Sequence, residues 1–211
     1  KTLCLGGVAE IKEKTRRNTF TVMRHGEAMH MVEDVLSSHP ETAEKHPLTE
    51  KGKEGVRLSV EHMIAENIIP TVIYHSPLRR TRETAELVRD ILKEKTGKDV
   101  SLVADTRIKE QDFGDIDGHS RKELAVFRQT KTDTLYKKVG GGESLEDLRI
   151  RAGEFLYDID GKHADESILI VTHEGVAYGM EHIALGNSNE TQLSRWKNPD
   201  GYLHAGTYMP L

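Results

Sequence analysis

The stretch Phe20-Thr21-Val22-Met23-Arg24-His25-Gly26-Glu27 decides how the chain is read. Phe20 to Met23 form a short apolar and β-branched run of the kind that suits a strand buried on both faces. The run ends in Arg24 and His25, two groups that can bind or attack an anion, and a glycine follows. Two further runs repeat the arrangement. Val72 to Tyr74 leads into His75 and Ser76, and Ile168 to Val171 leads into Thr172 and His173. Helical periodicity fills the chain between them. Lys51 to Glu66 puts Val56, Val60, Met63 and Ile64 on one side. Leu78 to Glu94 puts Thr81, Ala85, Val88 and Leu92 at helical spacing, with Pro77 near its start, where a missing N–H does no harm. Ser144 reads as an N-cap with Asp147 as its capping-box acid, and Leu148, Ala152, Phe155 and Leu156 supply the apolar stripe. A further helix is expected after Gly175, and a last edge strand over Tyr202 to Tyr208. Strands alternating with helices predict an α/β fold with helices on both faces of the sheet. No repeat or low-complexity linker divides the chain, which reads as one domain over residues 19–211 behind an N-terminal extension of residues 1–18.

Composition narrows the function. The 211 residues carry a formal net charge of -5, which argues against a generic nucleic-acid binder, since backbone-phosphate affinity needs clustered Lys and Arg. No apolar run is long enough to span a membrane, and the single cysteine, Cys4, forms no internal disulfide, so the cytoplasm is the expected compartment. Metal chemistry fits poorly. His173-Glu174 begins like a zinc-protease helix, but Ala177 stands where the second histidine belongs, and His39 and His46 lie in a loop without a Cys partner. A cysteine phosphatase needs an arginine six positions past its Cys, and that position is Glu10. Gly140-Gly141-Gly142-Glu143 lacks the Lys of a phosphate-binding P-loop and is read as a flexible turn before Ser144. No metal and no organic cofactor is expected, and oligomeric state is left open.

In an open α/β sheet the carboxyl ends of parallel strands converge on one crevice, where ligands bind. A histidine just after a strand exposes one ring nitrogen while a backbone carbonyl holds the other, which fixes the tautomer needed for attack. Gly26 is expected to let the backbone approach a phosphate, and Arg24 offers a planar fork of donors. Taken alone, an Arg-His-Gly tripeptide is read more simply as a strand-end histidine satisfied by local hydrogen bonds. The segment Ser76 to Ala85 opens a helix, whose N–H groups and positive end favour an anion, with Arg80 in the first turn able to reach the crevice. Arg79 and Arg82 project to other sides, toward solvent or an outer pocket. His173 is a second imidazole at the same edge.

Together these elements resemble the histidine phosphatase superfamily, the phosphoglycerate mutase-like proteins. They come in the family's order: Arg24-His25-Gly26-Glu27, Leu48-Thr49 with Gly52, Ser76-Pro77-Leu78 with Arg80 and Thr84-Ala85, Glu110 with Phe113-Gly114 and Gly118, Gly142-Glu143-Ser144, and Thr172-His173. The resemblance implies a three-layer sandwich with a mostly parallel central sheet. It implies a phosphatase, described as a histidine acid-type phosphoric monoester hydrolase, with His25 as nucleophile and Arg24, Arg80 and His173 completing the phosphate pocket. Glu110 looks like the family's proton donor, with Asp112 its nearest competitor. Arg82 and Glu27 are added as substrate contacts, and Arg121 and Arg128 as contacts from a lid over Met29 to Lys45 and Lys122 to Val139. The implied substrate is a small phosphorylated molecule or a phosphoprotein.

Two departures stand out. Ala28-Met29-His30-Met31 replaces the Trp-Asn pair with which mutases continue the first motif, and Glu174 stands where a glycine or asparagine is common, placed to crowd or retune His173. A mutase-type isomerase and a non-catalytic phosphate-binding domain are the alternatives. Because His25 must be neutral to attack, activity is expected to fall in acid through the ordinary imidazole range, about pH 5 to 8.

Overall fold

The computed structural model describes residues 18–188 and 203–211. Strands β1 (Thr19–Arg24), β2 (Val72–His75), β3 (Ser101–Ala104) and β4 (Ser167–Thr172) pair in parallel, and β5 (Tyr208–Pro210) runs antiparallel to β1 at the edge. The order across the sheet is β3-β2-β4-β1-β5. The register sets Arg24 against Thr172 and His75 against Val171, so the three expected strand ends finish side by side. The helices are α1 (Met29–Val32), α2 (Pro40–Ala43), α3 (Glu50–Ala65), α4 (Arg79–Thr96), α5 (Arg121–Phe127), α6 (Lys131–Tyr136), α7 (Leu145–Lys162) and α8 (Glu174–Leu185).

Alternation along the strands divides the core in two, as a three-layer sandwich requires. Ile168 and Ile170 of β4 pack with Phe20, Tyr74 and the α7–α8 residues Leu148, Phe155, Val176 and Met180. Leu169 and Val171 face the other way, onto Val56, Val60 and Met63 of α3 and Val88 and Leu92 of α4. Each such side chain, fully buried, stabilises the fold by about 1.5–3 kcal/mol. The long helices match their sequence signals. Thr49 caps α3 by accepting from the Gly52 N–H, and Ser144 and Asp147 form the expected capping box on α7. Helix α4 stops at Gly97, whose φ of 72° is left-handed.

Several expectations change. Strand β3 was not expected: Leu102-Val103-Ala104 is a short apolar run, but it forms an edge strand with mostly exposed side chains. The last strand is Tyr208–Pro210 rather than Tyr202 to Tyr208, and Tyr202 lies outside the described residues. Asn18, the last residue of the expected extension, is buried and bonds Asp160 and His163 of the domain, while residues 1–17 lie outside the described residues. The space beside Gly26 is filled by protein: a Cβ there would meet the Gly52 carbonyl oxygen at 2.8 Å, so this glycine admits α3 rather than a phosphate. The triple glycine is a docking surface for the loop that carries Glu110. Gly114 has φ 54°, and a Cβ on it would sit 1.9 Å from the Gly140 carbonyl oxygen.

Candidate active site

The strand ends and the start of α4 bring His25, His173 and the Arg80 guanidinium into direct contact, and Arg24 lines the same cavity as His25. His25 follows β1 and is buried, and its Nδ1–H donates to the Gly26 carbonyl at 2.8 Å. Nε2 therefore carries the lone pair. Arg80, in the first turn of α4, is fully buried and donates from Nε to His25 Nε2 at 3.2 Å and from Nη2 to the Ser37 carbonyl at 2.9 Å. The same Nη2 lies 3.1 Å from His173 Nδ1. An arginine only donates, so His173 Nδ1 accepts and its Nε2–H donates to Ser76 Oγ at 2.9 Å. The two histidine rings stand edge to face with centroids 5.2 Å apart. Arg24 completes the group from the end of β1, its Nη1 donating to the Leu203 carbonyl at 2.9 Å.

Burial among cations sets the protonation states. Desolvation first, then the charges of Arg80, His30 and Arg24, hold the His25 pKa well below the ordinary imidazole value. His173 is lowered well below that value by burial and then by Arg80. His30 falls to about 2 for the same reasons, burial before Arg80. Arg80 itself is lowered to about 10 by burial, with Glu110 opposing, and stays charged. The acid limb expected between about pH 5 and 8 for an ordinary imidazole is thus displaced toward lower pH for His25.

Glu110 sits in the loop after β3, with Oε2 3.9 Å from Arg80 Nη2 and 3.7 Å from His173 Nδ1. Asp112, its competitor, turns away: it pairs with His39 Nε2 at 2.9 Å and accepts from the Gly114 N–H. Arg151 fixes the loop by donating to the Glu110 carbonyl at 3.0 Å while holding Glu143. The cavity, about 450 Å³, is lined by Arg24, His25, His30, Glu110, Glu174 and the α5 residues Arg121 and Arg128, among others. Arg121 and Arg128 thus reach the cavity from α5.

Two expected substrate contacts do not. Glu27 faces the start of α3, where Lys51 Nζ at 2.8 Å and Thr49 Oγ1 at 2.9 Å engage its carboxylate. Arg82 points outward to Glu44 at 3.5 Å. Sequence reasoning noted His30 only as a departure, yet it is buried, lines the cavity and places its ring 5.5 Å from that of His25. Its helical register in the one-turn α1 was the missing signal. Ser37 was missed outright, because it contributes a backbone carbonyl and any residue type has one. Glu174, expected to retune His173, instead pairs with Arg24 at 2.9 Å.

The sequence profile described as Histidine phosphatase superfamily (branch 1) matches residues 20–200. Phosphoglycerate mutase-like protein 4 of Arabidopsis thaliana is 32% identical over 165 residues, 74% of this chain and 66% of that protein. Fructose-2,6-bisphosphatase TIGAR of Xenopus tropicalis is 29% identical over 200 residues, 92% of this chain and 70% of that protein. The chain thus spans about two thirds of the length of either relative. Among solved structures, Bacillus stearothermophilus YhfR superposes with a TM-score of 0.73 at 26% identity, covering 92% of this chain and 90% of that one. The relatives are phosphatases and phosphoglycerate mutase-like enzymes, and they support the phosphatase reading. A profile match over most of the length, on motifs that converge at one sheet edge, means that the chain belongs to the histidine phosphatase superfamily, branch 1.

Proposed function

We propose that the domain over residues 19–211 hydrolyses small phosphomonoesters through a phosphohistidine on His25. One observation carries the reading. Three buried nitrogens around His25 have no hydrogen-bond partner among the described residues: Arg24 Nε, Arg80 Nη1 and His30 Nδ1. A buried donor without a partner costs about 1–3 kcal/mol, a cost relieved by an oxyanion that accepts from several such groups at once. A phosphoryl group has the oxygens to do so. Arg24 turns the side edge of its fork, Nε and Nη2, to this anion, because Nη1 is already engaged.

In the proposed reaction Nε2 of His25 forms the N–P bond as the P–O bond to the leaving group breaks, and Glu110 supplies the proton that the leaving oxygen takes. Water then attacks phosphorus as Glu110 takes a proton from it, and phosphate leaves as the N–P bond to His25 breaks. Arg24, Arg80 and His173 spread the charge on the equatorial oxygens, each donor being worth on the order of a hundredfold in rate. For His173 to donate from Nδ1 its proton must move from Nε2, and the Ser76 hydroxyl accommodates this by turning from acceptor to donor. Acid-type operation is part of the proposal, since an imidazole of lowered pKa stays neutral in mild acid. A small substrate is favoured over a phosphoprotein by the limited cavity. A cytoplasmic setting is proposed on the single cysteine. The test is rapid quench with a radiolabelled phosphomonoester, where label should appear on His25 and in free phosphate. Label on another residue, or an isomerised ester without free phosphate, refutes it.

A further inference from the structure

Glu174 is the first residue of α8, directly after His173, and its carboxylate lines the cavity. Its Oε2 lies 2.9 Å from Arg24 Nη1, and both side chains are largely buried, 21% and 10% exposed. The same Nη1 donates to the Leu203 carbonyl and pairs with Glu174 by charge, while Nε has no hydrogen-bond partner among the described residues. A phosphoryl group on that free edge draws on the same positive charge that Glu174 already neutralises. We propose, building on the phosphate pocket above, that Glu174 is the built-in counter-anion of Arg24 and competes electrostatically with the phosphoryl group, weakening the hold on product phosphate.

A purely positioning carboxylate would act through geometry alone, and glutamine would replace it at little cost. A competing charge behaves differently: removing it strengthens anion binding, because a carboxylate and a phosphate sharing one partly buried cation repel each other strongly at low effective dielectric. The groups facing Glu174 are Arg24 from β1, Glu110 from the loop after β3, Arg121 and Arg128 from α5, and His204 from the C-terminal segment. Their sum leaves its pKa raised, burial outweighing Arg24 and Glu110 adding to the rise. The competition therefore fades as pH falls and the carboxyl takes up its proton, earlier than an ordinary glutamate would.

Binding of inorganic phosphate, measured by titration calorimetry on the whole chain from about pH 5 to 8, tests this without turnover. Glu174→Gln keeps an oxygen to accept from Arg24 and removes only the charge. It should tighten phosphate binding about tenfold or more near pH 7.5 relative to the unaltered protein, and the ratio should shrink as pH falls. Phosphate takes up a proton in the same range, so sulfate, a dianion throughout, is titrated in parallel and its ratio should shrink likewise. Glu174→Gly, read alongside, should tighten binding in the same direction. Equal or weaker binding by Glu174→Gln at pH 7.5, or a ratio independent of pH, overturns the proposal while the phosphate pocket stands. No phosphate binding by either protein overturns both.

Discussion

Three buried imidazoles make acid stability the sharpest test of the site's electrostatics. His25, His30 and His173 are all held neutral in the folded protein, their pKa values depressed first by burial and then by Arg80. In the unfolded chain each takes up a proton near the ordinary imidazole value of about 6.5. Below that pH the unfolded state binds more protons than the folded state, so stability falls as pH falls. Each imidazole contributes about 1.4 kcal/mol per pH unit, and three together give a slope of about 4 kcal/mol per unit once the unfolded histidines are protonated. Glu174, whose raised pKa binds a proton in the folded state, offsets less than one of the three. Against a typical total of about 5–15 kcal/mol, one to two pH units of acidification below 6 removes much of the margin. Urea unfolding followed by circular dichroism from pH 7.5 to 5 measures the slope, and His30→Phe should reduce it by about a third. A free energy of unfolding that is flat between pH 6.5 and 5, or a slope unchanged in His30→Phe, refutes the assignment of these rings as neutral.

Ser76→Ala removes the hydroxyl that accepts from His173 Nε2; kcat for p-nitrophenyl phosphate should fall on the order of tenfold or more with a smaller change in KM, and an unaltered kcat denies the tautomer role of Ser76. Gly114→Ala drives a Cβ into the Gly140 carbonyl at a positive φ, so stability should drop by about 2–4 kcal/mol by chemical denaturation, and activity should drop as the Glu110 loop shifts. Arg82→Ala lies outside the cavity and should change kcat/KM for small phosphomonoesters less than about twofold, whereas a large loss returns Arg82 to the substrate contacts.

The parts that could be read from the sequence were those in which a local pattern and a chemical need coincide. Phe20 to Met23, with Arg24 and His25 behind them, announce a buried strand and its reactive end together, and the Ser144–Asp147 box marks a helix start with a definite hydrogen-bond pattern. Arg80 was legible because a strand-to-helix turn limits where its side chain points. Strand β3 was not, since half-exposed edge residues carry no periodic signal. Gly26 was misjudged because the sequence does not tell which backbone comes near: the partner, Gly52, is 26 positions on. His30 and Glu174 depend on long-range geometry too. One becomes a pocket wall through a four-residue helix, and the other reaches Arg24 because β1 and β4 are neighbours in the sheet.

The guanidinium of Arg80 sits on the lone pair of the very nitrogen expected to do the chemistry, 3.2 Å away. The nitrogen of the proposed nucleophile is thereby occupied by a hydrogen bond. An electrophile without charged oxygens, such as a stray acylating metabolite, meets a nitrogen already engaged, whereas a phosphoryl group brings acceptors that draw the guanidinium to themselves and uncover it. Under the proposed mechanism this contact would favour phosphorus over carbon electrophiles before any part of the leaving group is recognised.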